Sequence, residues 1–207
     1  MKKIGNINIV VKNGDIATEP ADCIVVPQFT YTASFNGVGH AIHYEGMTAG
    51  LEEYAKMTDK KTFQYGDSVI TESGKPGIKL AHVATIDTTA EEQPVAIVKS
   101  IFNTMISAEK QNIQHIAIPE LGTGIIGHLT QEQSAQTIFN AVYEFTKTNP
   151  NTIIKQVSLI IFKSSIEPAL KVLKNKTYMK LPDNMTGSKE FNFAAFVYGK
   201  ENHGICK

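Results

Sequence analysis

The sequence carries no net charge of either sign, since its 20 acidic side chains balance its 20 basic ones at neutral pH. A protein that binds nucleic acid broadly needs an excess of basic side chains to neutralise phosphates. The balance therefore excludes broad nucleic-acid binding as a main function. Any nucleic-acid role would have to be local and directed at a nucleotide-like group.

Cysteine is almost absent. The two cysteines are Cys23, which lies in an apolar run, and Cys206, which is next to the last residue. Chain ends usually fray, and a buried thiol behaves as a small apolar side chain. We therefore expect no disulfide framework, and the pattern fits a reducing cytoplasm.

Long hydrophobic runs are also missing. No window approaches the roughly 18 consecutive apolar residues that mark a membrane span, and the basic residues near the N-terminus are not followed by the apolar stretch of a signal peptide. We expect a cytoplasmic protein with no membrane association. No internal repeat appears, and 42% apolar with 19% charged residues is ordinary for a folded globular chain.

The sequence does contain an alternation of short β-rich runs and longer helical stripes. The predicted strands are residues 7–11, 23–26, 67–71, 79–86, 113–118 and 157–162. The predicted helices are residues 38–54, 94–110, 130–146 and 168–173. A break is expected near Gly46 or Gly50 in the first helix, and Thr130 with Gln133 resembles a capping box at the start of the third.

The order of these elements predicts the fold class. Helices and strands alternate in the later part, which indicates a mainly parallel sheet between helical layers. The strands within 67–86 are joined by a short turn, which predicts an antiparallel pair. We therefore predict a three-layer α/β/α sandwich with a mixed, mainly parallel sheet, formed by one domain at residues 1–175. Residues 176–207 are predicted to be an extension packed on that domain, with residues 191–198 apolar enough for an edge strand.

The most informative segment is residues 119–127, with the sequence PELGTGIIG, between a predicted strand and a predicted helix. Ligands of open α/β sheets bind outside the carboxyl ends of the strands. Glycines allow backbone N–H groups to converge on a small anion, for which a diphosphate is the obvious candidate. The segment is not a P-loop, because no Gly-Lys-Ser/Thr follows. Taken alone, it could equally be a tight strand-to-helix turn.

Three earlier blocks accompany this loop: Gly14-Asp15-Ile16 after the first strand, residues 23–29 as the second strand and its exit, and Asn36-Gly37-Val38 at the start of a helix. Together the four blocks resemble the macro domain family, of the Appr-1-p processing type, over roughly residues 5–170. The resemblance implies a mixed sheet flanked by helices. It also implies ADP-ribose or an ADP-ribosylated protein as the ligand, without a cofactor.

The resemblance also implies roles for individual residues. The Asp15 carboxylate would accept a hydrogen bond from the adenine amino group, beside the backbone of Ile16. An ionised carboxylate can only accept, which agrees with that role, although an Asx-turn at Asp15 is an alternative compatible with it. Asn36, Gly37 and Val38 would form the opposite wall, near the distal ribose. The residues that would hold the diphosphate are Gly122, Thr123, Gly124, Ile125, Ile126 and Gly127.

The pattern departs from the family at the positions that carry its chemistry. Phe29 stands where catalytic members have an asparagine, and Gly39 stands where many have an aspartate. Neither can orient a water or take a proton, and the Phe29 ring would reshape the distal ribose end of the site. His40 is the only nearby substitute that titrates near neutral pH without help. The candidate substitutes are His40, Asn36, Gln28 and Glu120.

No metal site is expected, because His40 and His43 have ligand spacing but lack an obvious third ligand. Three functions stay open. The first is a module that binds ADP-ribose or an ADP-ribosylated protein, and the second is a hydrolase that removes ADP-ribose or an acyl group from it with non-standard residues. The third is a binder of another adenine nucleotide or of RNA ends. We expect the first, with little or no hydrolysis.

Overall fold

The computed structural model describes residues 2–180. Its strands are β1 (Lys2–Ile4), β2 (Ile7–Asn13), β3 (Cys23–Gln28), β4 (Ser68–Glu72), β5 (Lys79–Ala84), β6 (His115–Pro119) and β7 (Gln156–Ile161). Its helices are α1 (Val38–Tyr44), α2 (Thr48–Thr58), α3 (Glu92–Lys110), α4 (Gln131–Thr148) and α5 (Glu167–Asn175). Short 3-10 turns cover Ile16–Thr18 and Thr177–Met179.

The seven strands form one sheet in the order β1-β2-β7-β6-β3-β5-β4. The five inner strands run parallel to one another, and the two edge strands, β1 and β4, run antiparallel to their neighbours. The prediction of a mixed, mainly parallel sheet is therefore confirmed. The antiparallel pair predicted within residues 67–86 is β4 with β5.

Both faces of the sheet are buried, and β3 shows why its sequence is apolar throughout. Side chains alternate between the faces of a strand. Cys23 and Val25 accordingly lie in the larger core, beneath α3, α4 and α5, while Ile24 and Val26 lie in the smaller core, beneath α1 and α2. A strand covered on both sides needs apolar residues at every position. The predicted three-layer sandwich is confirmed.

Two predicted helix boundaries are confirmed with their physical causes. The first helical stretch divides into α1 and α2 at Gly46, whose φ of +78° lies in the left-handed region that favours glycine. At the start of α4, the Thr130 side chain accepts from the backbone N–H of Gln133. The Gln133 side chain in turn accepts from the backbone N–H of Thr130, which completes the capping box.

The strand β1 is absent from the sequence-based prediction. It has only three residues, which is too short for an alternating pattern to be recognised. It is joined to β2 by a two-residue turn at Gly5 and Asn6, so that Ile4 lies opposite Ile7. Gly5 has a φ of +57°, as such turns require.

The predicted domain boundary at residue 175 coincides with the end of α5, after which Lys176 adopts a left-handed conformation. Directly beyond it, Tyr178 is buried against Phe139, and the Asn140 side chain donates to the Tyr178 carbonyl at 2.8 Å. The predicted edge strand at 191–198 and Cys206 lie outside the described residues. The packing of the whole extension therefore stays a prediction.

Cys23 is fully buried, and burial raises the pKa of its thiol to about 12, so it is uncharged and unreactive at neutral pH. This confirms its interpretation as an inert core residue. Within residues 2–180, none of the helices combines the length and hydropathy required to cross a membrane.

Candidate functional site

The site lies between two neighbouring strands whose following helices cover opposite faces of the sheet. The connection after β3 forms α1 and α2, which cover one face, whereas the connection after β6 forms α4, which covers the other. Because β3 and β6 are neighbours, their carboxyl ends diverge into a crevice, the usual ligand position in this class of sheet. A cavity of about 530 Å³ opens there, lined by residues from segments 14–16, 37–45, 119–123 and 160–162.

Asp15 and Phe162 form one end of the cavity. Their positions follow from register, because Asn13 pairs with Ile161 where β2 and β7 end. The Asp15 Oδ1 accepts from the backbone N–H of Ala17 at 3.0 Å and thereby caps the 3-10 turn, while the other carboxylate oxygen makes no hydrogen bond among the described residues. The predicted Asx-type capping and a ligand contact are therefore compatible at this carboxylate.

Phe162 was missed by the sequence analysis, which treated it only as the end of a strand. Its side chain is 59% exposed although it lines the cavity, and the Lys163 ammonium lies 4.8 Å from its ring centroid, over one face of the ring. A large exposed aromatic side chain immediately after a buried strand was the available signal. Its position beside Asp15 provides a flat apolar surface for a planar ligand group.

Glu120 lies between this end and the glycine loop. Its half-buried carboxylate accepts from the Gln131 side chain at 3.0 Å, and the same Gln131 amide also donates to Ser164. Burial raises the pKa of Glu120 above its ordinary value, and the hydrogen bond from Gln131 opposes that rise. Glu120 is thus a fixed carboxylate inside the cavity wall.

The glycine loop folds back on itself. Gly122 has a φ of +77°, and its carbonyl accepts from the backbone N–H of Leu129 at 2.9 Å. The Gly127 N–H donates to the Gly124 carbonyl at 2.8 Å, and a Cβ at Gly127 would lie only 2.2 Å from the Gly122 carbonyl oxygen. Gly122 and Gly127 are therefore required by the loop itself.

Gly124 differs from those two glycines. Its backbone is not left-handed, and a Cβ at this position would meet nothing within 4 Å. No contact within the described residues requires glycine there, so the absent side chain keeps open the surface of the loop. Thr123, the residue before it, lines the cavity directly.

The start of α1 forms the opposite wall. Gly37 and Val38 line the cavity, as does His40, whose exposed ring is stacked on Tyr44 with centroids 6.5 Å apart. Gly39 is buried, and a Cβ there would lie 1.9 Å from the Ser34 carbonyl oxygen. This backbone leaves no room for any side chain at residue 39.

Gln28, one of the candidate catalytic residues, is fully buried. Its side-chain oxygen accepts from the Ser34 N–H, and its side-chain nitrogen bonds His82 Nδ1 at 3.1 Å. Both ends of the amide are thus occupied within the protein. Gln28 shapes the segment before α1 rather than lining the cavity.

Phe29 also lies away from the cavity lining. Its carbonyl accepts from the Tyr54 hydroxyl at 2.7 Å, and its ring lies against Tyr31, with centroids 5.5 Å apart. The ring therefore does not narrow the cavity directly. Phe29 also has no side-chain donor or acceptor, so this position offers a ligand no hydrogen bond from a side chain.

The cavity brings together some of the residues predicted for ligand binding. Those that line it are Asp15, Ile16, Gly37, Val38 and Thr123, and the candidate His40 lines it with them. Those outside the lining are Asn36, Gly122, Gly124, Ile125, Ile126 and Gly127. Ile125 and Ile126 point into solvent, with Ile125 fully exposed. Ligand roles for all of these residues remain predictions.

The charges around the cavity constrain how it could hold an anion. All 20 basic side chains of the sequence are lysines, and no lysine is among the lining residues, which include Asp15, Glu45 and Glu120. Backbone N–H groups are then the available donors for a phosphate. Residues 2–180 contain no group of three or more histidine, cysteine, aspartate or glutamate side chains that could hold a metal ion.

Comparison with known proteins shows several relatives. The chain is 29% identical over 187 residues to an ADP-ribose glycohydrolase of Archaeoglobus fulgidus, a match covering 83% of this chain and 95% of that protein. It is 24% identical over 156 residues to an uncharacterized protein of Thermotoga maritima, covering 73% of this chain but only 26% of that longer protein.

The structure is similar to that of a mutant Oceanobacillus iheyensis macrodomain with ADPR, with a TM-score of 0.70, 20% identity, and coverage of 85% of this chain and 97% of that one. At this identity the likeness shows the fold alone. The family model described as Macro domain matches residues 31–138, just over half of the 207 residues. The matched range contains the glycine loop but neither Asp15 nor Phe162. The chain belongs to the macro domain family.

Proposed function

We propose that this protein binds ADP-ribose, free or attached to a protein, and acts as a reader of that group. The observation that carries the proposal is the arrangement of the cavity. A carboxylate and an aromatic ring lie at one end, at the carboxyl ends of β2 and β7, and the glycine loop lies beyond β6. The carboxylate and the ring suit an adenine, and the glycine loop suits a diphosphate. The two groups follow each other along the cavity in the same order as in ADP-ribose.

The base end suits adenine. The unpaired oxygen of Asp15 can accept from the exocyclic amino group, and an ionised carboxylate repels the keto oxygen that replaces this group in hypoxanthine. The exposed ring of Phe162 offers a face on which the base can stack.

The loop end suits a diphosphate that is bound by backbone. The site offers no lysine, and Gly124 leaves the loop surface open to close approach. Consecutive amides can complement phosphate oxygens without a cationic side chain. The three cavity carboxylates favour a ligand of modest negative charge, and the diphosphate of ADP-ribose is a diester without the extra charge of a terminal phosphate.

The reader role is supported by what stands at the positions that carry the family's chemistry and at the candidate Gln28. Gly39 cannot carry a side chain in this backbone, Phe29 lies away from the cavity, and Gln28 has both ends of its amide occupied. We propose a cytoplasmic location, which is in keeping with a sequence of only two cysteines. We also propose that residues 176–207 pack on the domain, continuing the contact that Tyr178 makes with Phe139.

Calorimetric titration with ADP-ribose, ADP and AMP tests the proposal. We expect micromolar affinity for ADP-ribose, about −8 kcal/mol, with an increase of the melting temperature through mass action. A flat titration and an unchanged melting temperature at millimolar ADP-ribose would refute the proposal. Tighter binding of AMP or of a 5′-phosphorylated oligonucleotide would instead favour a nucleotide or RNA-end binder.

Hydrolysis is the second candidate, because the His40 side chain lines the cavity and is accessible to a ligand. The measurement is release of ADP-ribose from a mono-ADP-ribosylated protein and of acetate from O-acetyl-ADP-ribose. We expect no release above background. Release that disappears in His40→Ala would make His40 the catalytic residue, whereas release that survives would point to Asn36 or to a substrate-assisted route.

A further inference from the structure

Glu120 has no role in the proposed contacts to base and diphosphate, although its carboxylate lines the cavity. Its position follows from the sheet register. Asn13 pairs with Ile161 where β2 and β7 end, and Pro119 pairs with Ile160 where β7 and β6 run side by side. The residues that follow these strands are therefore placed in a row across the crevice.

This row sets the path of a bound nucleotide. A base at Asp15 and Phe162 and a phosphate at Thr123 are connected by the sugar that carries the base. Because Glu120 directly follows β6 and lines the cavity between the β7 end and Thr123, that sugar would have to pass it. A side chain at this point would then face the vicinal diol of the sugar, and neither the base nor the phosphate.

The Glu120 carboxylate is preorganised for such a contact. One oxygen accepts from Gln131, and Gln131 is itself held by Ser164. The second oxygen makes no hydrogen bond among residues 2–180, although the side chain is only partly exposed and lines the cavity. In nucleotide-binding α/β sheets, an acidic side chain that hydrogen-bonds the ribose 2′-hydroxyl is a recurrent feature.

We propose that Glu120 is the specificity-determining residue for the ribose next to the base: its carboxylate accepts hydrogen bonds from the ribose hydroxyls and excludes a phosphate on them. The site then selects ribonucleotides with an unmodified diol. Deoxyribose leaves the half-buried carboxylate without its partner, and a 2′-phosphate places two like charges together. This inference rests on the proposed function.

The test uses three ligands: ADP-ribose, its 2′-deoxy analogue at the adenosine ribose, and its 2′-phospho analogue. For the full chain we expect the deoxy analogue to bind at least about tenfold more weakly, the size typical of a hydrogen bond to a charged group. The phospho analogue should bind more weakly still. Equal binding of all three would overturn the inference and leave the proposed function intact, while failure of ADP-ribose to bind would overturn both.

Two variants separate hydrogen bonding from charge. Glu120→Ala removes the acceptor, so ADP-ribose and its deoxy analogue should then bind equally. Glu120→Gln keeps an acceptor but removes the charge, so binding of the 2′-phospho analogue should rise at least about tenfold relative to ADP-ribose. If both variants keep the wild-type ratios, the inference is wrong.

Glu132→Gln is the matched control for charge. Glu132 forms an ion pair with Lys171 at 3.0 Å and is not part of the cavity lining. The substitution removes one negative charge, as Glu120→Gln does, at a nearby position in the sequence. The affinities for the two analogues relative to ADP-ribose should stay at their wild-type values. Ratios that shift as they do in Glu120→Gln would assign the discrimination to the general charge of the protein and overturn the role of Glu120.

Discussion

Asp15 combines one observed contact with one proposed contact, and a mutational experiment can easily confuse the two. One oxygen caps the turn Ile16–Thr18 through the Ala17 N–H, and the other is available to a ligand. Replacement by alanine removes both contacts, and an N-cap of this kind is itself worth about 1 kcal/mol. The more informative substitution is one that keeps the cap and changes only the group presented to the base.

Asp15→Asn is that substitution. The asparagine oxygen can still accept from Ala17, while its amide nitrogen becomes a donor facing the base. Binding of ADP-ribose should weaken by about 1.5–3 kcal/mol, and the inosine analogue should become the preferred ligand. Calorimetry with both ligands measures this change. Unaltered preference for adenine would limit Asp15 to a structural role.

Gly39 shows why the aspartate that the family resemblance implies at this position cannot simply be introduced. In Gly39→Asp, the new Cβ would lie 1.9 Å from the Ser34 carbonyl oxygen, so residues 34–39 would have to rearrange. We expect a destabilisation of at least about 1–3 kcal/mol, as for overpacked sites, and no gain of hydrolysis. Chemical denaturation and the release assay provide the measurements. A stable variant with turnover would show that this segment moves aside readily.

At the scale of elements, the glycines of the loop have two different roles. Some are required by the backbone conformation of the loop, and one keeps the surface of the loop accessible to a ligand. Gly127 touches the Gly122 carbonyl within the loop, whereas Gly124 faces open space. Substitutions at these two positions should therefore differ in kind. A substitution at Gly127 should disturb the fold of the loop, whereas one at Gly124 should affect only the binding of a ligand to the loop.

Gly124→Glu should abolish ADP-ribose binding and leave the melting temperature of the free protein within a few degrees of wild type. A Cβ at residue 124 meets no atom within 4 Å, so the added carboxylate can extend toward the proposed phosphate position. Gly124→Ala is the matched control for backbone freedom and should retain most of the binding. By contrast, Gly127→Ala should lower the melting temperature itself. Normal binding by Gly124→Glu would place the diphosphate elsewhere.

At the scale of the whole molecule, one buried histidine couples stability to pH. His82 accepts from the Gln28 amide at Nδ1 and bonds Thr71 at 2.9 Å through Nε2, with Tyr54 stacked on its ring. Because an amide nitrogen can only donate, the imidazole is neutral with its proton on Nε2. Burial lowers the pKa of His82 from 6.5 to about 3.

The sign of the resulting pH dependence follows from linkage. The unfolded chain takes up a proton at this residue below about pH 6.5, and the folded protein does not until about pH 3. The free energy of unfolding should therefore fall as pH is lowered, by about 2 kcal/mol between pH 7 and pH 5 from this residue alone. Denaturant titrations at these pH values measure it, and His82→Gln should flatten the slope. NMR titration of His82 provides a second test, since an imidazole that protonates near pH 6.5 in the folded state would contradict the prediction.

The alternation of apolar runs was sufficient to predict the layers, the parallel sheet and the antiparallel pair, because each depends on a periodicity that is local in sequence. The positions of Asp15 and Thr123 at the cavity could be predicted from the order of the motifs along the chain, and their ligand roles stay predictions. Burial of Gln28 could not be predicted, because it depends on His82 in a strand more than 50 residues away. The same holds for Phe162, which reaches the cavity only because β7 pairs with β2 and β6. The sequence does indicate Glu120 as a candidate, but its hydrogen bond to Gln131 depends on the fold.

The pairing of β2 with β7 has a consequence for how the protein is made. Strand β2 lies within the first 13 residues, but its parallel partner ends at Ile161. During synthesis, β2 can therefore pair with β7 only after almost the whole domain has been made. Asp15 and Phe162 come to the same cavity only at that last step, so the proposed adenine end closes after the glycine loop has been made. A nascent chain, or a fragment cut before β7, would hold the loop and half of the walls but no place for the base. Ligand present in the cell could then stabilise only completed molecules, and would leave every shorter species to chaperones and proteases.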